Sequence, residues 1–111
     1  GNMVFISDLL KKHDANTVRL LLLSHHYREP WNFEEKELET AKKTIELFKK
    51  AVSMDNVSED QNSKSAAIFF KYLDTDFQTN LALSKLTTMI KSKKVGGTTV
   101  TKCLGSIGIK L

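Results

Sequence analysis

Cysteine, proline, tryptophan and glycine are all scarce in this chain of 111 residues, which holds one Cys, one Pro, one Trp and five Gly. The lone Cys103 excludes an internal disulfide and any paired-thiolate metal motif, and it suits a reducing compartment. Its simplest role is that of a small buried hydrophobe. No continuous apolar run comes near the roughly 18 residues that a membrane-spanning helix requires, and no leader pattern is legible at the start. Gly96-Gly97 lacks the Lys-Ser/Thr pair and helix context of a nucleotide cradle. No His-x-x-x-His occurs. His25 and His26 are adjacent, so on a helix they point about 100° apart and suit hydrogen bonding better than metal ligation. Internal repeats and low-complexity tracts are missing too. These absences remove the common catalytic constellations, and no catalytic or metal site is expected within the chain.

Acidic residues are also missing from one region. From Phe77 to the end there are six lysines (Lys85, Lys91, Lys93, Lys94, Lys102, Lys110) and no Asp or Glu, whereas residues 1–77 hold 11 basic and 13 acidic residues. The net charge of +4 therefore belongs to the C-terminal third. A one-signed stretch of this kind suits a surface that tracks phosphates, although lysine-rich faces that are merely solvated are common.

What is present is 41% hydrophobic and 27% charged residues, enough for one soluble domain with a single modest core. Met3 to Ile6 is an apolar run with β-branched and aromatic members, which predicts a short extended segment. Ser7 caps a short helix to His13, and Asp14 caps the next. In that second helix Leu20 to Leu23 run unbroken, the pattern of a helix buried among several others. Pro30 stops it. Asn32 and Glu35 have capping-box spacing ahead of a long amphipathic helix, with Leu38, Ala41, Ile45, Phe48 and Val52 on its inner face. Pairs Glu39–Lys43 and Glu46–Lys50 are expected on its outer face. A polar loop is expected between Ser53 and Ser65, then a helix over 66–73. Another should start near Thr79, capped by Asp74, Asp76 or Thr79, and carry Leu83, Leu86 and Ile90 inward. Gly96-Gly97 marks a loop before a last short helix that Gly108 ends. The fold class is all-α, an antiparallel bundle of about five helices with a short extended N-terminal segment.

The run DANTVRLLLLSHHYREPWNFEEKELETAKK, from Asp14 to Lys43, resembles the helical-bundle domain that follows the catalytic fold in cysteinyl-tRNA synthetases, of the type called DALR. Asp14, Ala15, Val18 and Arg19 match that motif in spirit, with two residues inserted. Leu23-Ser24, His26-Tyr27-Arg28 and Asn32-Phe33 are similar to the family's signature at this place. Downstream, Asp76-Phe77-Gln78-Thr79 resembles its Asp-Phe-Asn-Thr, and Leu104 to Gly108 its last apolar helix; Gln78 and Asn80 depart from the usual Asn and Pro. Upstream, Asn2 to Leu10 resembles the segment directly after the Lys-Met-Ser-Lys-Ser loop of the catalytic domain.

The resemblance implies a fragment of a class I aminoacyl-tRNA synthetase, with residues 1–13 a linker contacting the tRNA stem and residues 14–111 a DALR-type tRNA-binding bundle. It implies that the ATP site, the cysteine-binding zinc and the Lys-Met-Ser-Lys-Ser loop lie before residue 1. The parent would be a cytoplasmic cysteine-tRNA ligase using ATP, Mg and Zn, with tRNA(Cys) and the catalytic domain of the same polypeptide as partners and no membrane. Phosphate contacts are expected from Arg28, Lys11, Lys12, Lys91, Lys93, Lys94 and Lys102. Arg19, in a helix otherwise made of leucine, is expected to form an internal ion pair, with phosphate contact as its alternative. His26, Tyr27, Trp31 and Asn32 are packing residues or tRNA contacts at the helix exit. Two other readings stand: the related ligase of the mycothiol pathway, which uses no tRNA and which the Lys-rich, Ala-poor composition disfavours, and a helical protein-interaction module.

Overall fold

A computed structural model of the chain describes residues 2–25, 34–75 and 78–111, the side chains of residues 2–6 excepted. Six helices and no strand occur among the described residues: α1 (Asn2–Lys12), α2 (Ala15–Leu23), α3 (Glu35–Ala51), α4 (Glu59–Asp74), α5 (Thr79–Lys91) and α6 (Gly97–Ser106). The all-α class is as expected from the sequence.

The Asp14 carboxylate accepts from the amides of Asn16 and Thr17 at 3.1 and 3.3 Å and so starts α2. Thr17, Val18, Leu20 and Leu21 of α2 are buried, and Leu22 and Leu23 pack against the same core. That burial on several sides is what an unbroken leucine run demands, since each buried leucine contributes roughly 1.5–3 kcal/mol. α3 runs antiparallel to α2 and presents Leu38, Ala41, Ile45 and Phe48 inward, at the expected spacing. α4 and α5 form an antiparallel hairpin, as the meeting of Ser65 with Lys94 and of Tyr72 with Lys85 shows. Phe69 of α4 and Val100, Cys103 and Leu104 of α6 close the core. Phe70 meets the edge of Phe69 with centroids 5.2 Å apart.

Five local expectations are corrected, the last of them at Gly96-Gly97. The Met3–Ile6 stretch is helical rather than extended: a short apolar run carries no period of its own, and no strand among the described residues offers it a ladder. The predicted loop from Ser53 to Ser65 shrinks, because the Ser58 hydroxyl accepts from the Gln61 amide at 3.2 Å and starts α4 at Glu59. Polar residues there form an exposed helical turn, not a loop. On α3 the pairs are Glu39–Lys42 at 3.4 Å and Glu46–Lys49 at 3.5 Å, because the i,i+3 neighbour lies as near as the i,i+4 one. α5 is capped by Gln78 without a side-chain bond, and Asp74 is instead the last residue of α4. Asp76 and the expected cap Asn32 lie outside the described residues; α3 itself opens after Glu34, which makes no side-chain cap bond.

The way α6 is held decides where the basic residues sit. Its first residue, Gly97, packs so closely on the end of α3 that a Cβ there would lie 2.2 Å from the Val52 carbonyl oxygen. The Gly97 amide donates to the Met54 carbonyl, and Gly96 N–H donates to Asn62 Oδ1 at 2.6 Å. Gly96-Gly97 thus opens a helix, where a loop was expected.

Candidate nucleic-acid interface

Two turns of backbone place the basic residues of the C-terminal third. α5 ends in a Schellman motif: Lys94 N–H donates to the Met89 carbonyl at 2.9 Å, and Lys93 N–H to the Ile90 carbonyl at 3.1 Å. Lys93 occupies its left-handed position with φ 57°, which glycine adopts at a cost lower by about 1 kcal/mol. The Ser65 hydroxyl, itself buried, donates to the Lys94 carbonyl at 2.6 Å and fixes this turn to α4. Lys91, Lys93 and Lys94 are exposed around it. α6 ends in the same motif, with Gly108 at φ 85° in the left-handed position and Ile109 N–H donating to the Leu104 carbonyl at 2.9 Å.

Helix α2 grips that second turn. Arg19 Nε donates to the Ile107 carbonyl at 2.7 Å, so the guanidinium caps the C-terminus of α6. A Cβ on Gly108 would lie 2.5 Å from Arg19 Nε. One turn earlier, Asn16 Nδ2 donates to the Lys110 carbonyl at 2.9 Å and Asn16 Oδ1 accepts from the Lys110 amide at 3.2 Å. The expected ion pair of Arg19 is therefore corrected: its structural role is real, but its acceptor is a carbonyl, which offers the helix-end partial charge without a carboxylate. Nothing in the sequence marked Asn16, since its partner lies 94 residues away.

The remaining predicted contacts fall in separate places. Lys11 and Lys12 are exposed on the last turn of α1, beside the start of α2 that holds Lys110. Lys102 is exposed on α6. None of Lys11, Lys12, Lys91, Lys93, Lys94 and Lys102 forms an ion pair among the described residues. Arg28, His26, Tyr27, Trp31 and Asn32 lie outside the described residues.

Two clefts lie among the described residues. One, of about 320 Å³, lies between α2, α3 and α5, with His25 Nε2 3.1 Å from Glu37 Oε2 at its rim. The other, of about 290 Å³, lies on the outer side of the α4–α5 hairpin and is lined by Ile68, Lys71, Tyr72, Lys85, Thr88 and Met89. Cys103 reaches neither. Burial pushes its thiol up to about 11, against a smaller opposing effect of Lys102, so it is an inert core residue. Among the described residues no group of His, Cys, Asp and Glu could hold a metal ion.

Comparison with known proteins places this arrangement. The family model of the class I tRNA synthetase (C) catalytic domain matches residues 1–43. Cysteine-tRNA ligases of Coxiella burnetii, Tolumonas auensis and Streptococcus equi subsp. zooepidemicus are 32%, 38% and 34% identical to it over 82%, 78% and 82% of the chain. The chain belongs to the cysteine-tRNA ligase family. It spans about one fifth of the length of these relatives, 20%, 19% and 21% respectively. No described helix is long and apolar enough to cross a membrane.

Proposed function

We propose that this chain is the helical bundle that follows the catalytic domain of a cytoplasmic cysteine-tRNA ligase and binds the anticodon stem and inner corner of tRNA(Cys). Residues 14–111 form the bundle, and residues 1–13 join it to the catalytic domain of the same polypeptide. The match of a catalytic-domain family to residues 1–43 supports a region that adjoins that domain. The whole enzyme ligates cysteine to tRNA(Cys) with ATP, and the chemistry that needs ATP, magnesium and zinc belongs to residues outside this chain.

One observation carries the reading. From Thr79 to Leu111 the chain has six lysines, no carboxylate side chain and no ion pair among the described residues. A stretch of this kind attracts anions, and phosphodiesters meet it through contacts that position RNA without reading its bases. Lys91, Lys93, Lys94 and Lys102 supply one set of contacts, and Lys11 and Lys12 a second. Arg28 is assigned on the resemblance alone.

The test is a salt titration of tRNA(Cys) binding by the full-length enzyme, wild type against Lys93→Ala/Lys94→Ala. Each lost phosphate contact should flatten the log-log slope by about 0.7–0.9. A slope that stays at the wild-type value would remove these lysines from the interface.

A further inference from the structure

The cleft on the α4–α5 hairpin lies outside every contact assigned above, and its chemistry is specific. Its floor is apolar, from Met89 and the half-exposed Ile68. Two cations, Lys71 from α4 and Lys85 from α5, share the lining, and among the described residues no carboxylate does. Lys85 Nζ rests 5.4 Å from the centroid of the Tyr72 ring, a cation–π contact, and Lys85 forms no ion pair among the described residues. Among the described residues, the nearby acids do not pair with the cleft lysines. Asp60 is engaged with Lys64 at 3.2 Å, and Asp74, at the end of α4, pairs with neither cleft lysine.

We propose that this cleft seats the sugar-phosphate backbone of RNA, with Lys71 and Lys85 on phosphate oxygens and the sugar edge against Ile68 and Met89. The inference rests on the tRNA-binding reading and adds a contact to it. Charge complementarity selects the occupant: two cations over an apolar floor fit an amphiphilic polyanion, and a nucleic-acid backbone presents charge and sugar carbon at that scale.

The experiment uses the full-length enzyme and a tRNA(Cys) transcript, with affinity measured between about 50 and about 300 mM salt. The variant Lys71→Gln/Lys85→Gln is compared with Lys42→Gln/Lys49→Gln, which removes the same charge from the carboxylate-paired face of α3. The expected result is a slope flatter by about 1.4–1.8 and affinity weaker by about tenfold or more at low salt for the cleft variant only. Lys71→Arg/Lys85→Arg should restore the slope. An unchanged slope in the cleft variant, with wild-type binding intact, overturns this inference and leaves the tRNA-binding reading standing. Equal effects of both variants also overturn it, because they report net charge alone. Loss of thermal stability with an unchanged slope assigns the cleft to contact with the rest of the polypeptide and overturns it too. Absence of salt-dependent binding by the wild type removes the underlying reading.

Discussion

Helix α3 and the stretch from α5 through α6 are both rich in lysine but lie in opposite electrical surroundings. Around α3, Lys36, Lys42 and Lys49 each sit 3.3–3.5 Å from a glutamate. From Thr79 onward no carboxylate side chain exists to serve Lys85, Lys91, Lys93, Lys94, Lys102 or Lys110. Interleaved charges neutralise one another at short range and need no partner, whereas charges of one sign are satisfied only from outside. Lysine content alone therefore says little about binding. Where the acids are missing says more.

The comparison can be broken first at the joint between its two sides. Gly97→Ala sets a Cβ against the Val52 carbonyl and should separate α6 from the end of α3, costing about 3 kcal/mol or more in urea unfolding. Next in size is a pH effect confined to the lysine-only side. The folded pKa of Cys103 lies above its ordinary value of 9.0, at about 11. Its contribution is therefore fully present below pH 9 and lost as pH rises towards 11, by up to about 3 kcal/mol. Cys103→Ala should remove that slope, which a stability series across the window would show.

Smaller effects sharpen the contrast. Asn16→Ala and Arg19→Gln each remove hydrogen bonds that tie α2 to the end of α6 and should cost about 1 kcal/mol apiece. A double-mutant cycle should find them coupled, since both hold the 107–110 segment. Lys93→Gly should move two observables in opposite senses. It relieves the left-handed backbone and raises stability by about 0.5–1 kcal/mol, while it weakens tRNA binding through the lost charge. Gly108 already fills the matching position at the end of α6, which makes it the internal reference. Glu39→Gln and Glu46→Gln should change stability by less than about 0.5 kcal/mol each, because the pairs they break are exposed, and added salt should erase even that difference.

How much was legible varies with the range of the interaction. The inner face of α3, the burial of α2, the α5 core positions and the stop at Gly108 all come from periodicity and local backbone preference, and the structure keeps each of them. Helix starts were harder. Ser58 and Glu59 read as loop because polar residues suit an exposed helical turn equally well, and Met3 to Ile6 read as extended because four residues cannot distinguish the two periods. Among the candidate site residues, the basic end was plain from charge order, but Lys71, Tyr72 and the place of Lys85 beside them were not. Residues 71 and 85 become neighbours only when α4 and α5 fold into a hairpin.

The sequence by itself determined the helical class, the core faces and the one-signed C-terminal third, because each depends on residues a few positions apart or on composition. Tertiary structure alone decided that Arg19 ends on the Ile107 carbonyl after α6, that Asn16 pairs with the backbone of Lys110, and that Lys71 and Lys85 line one cleft. Those contacts span 88, 94 and 14 residues and depend on how whole helices pack, which no local pattern encodes.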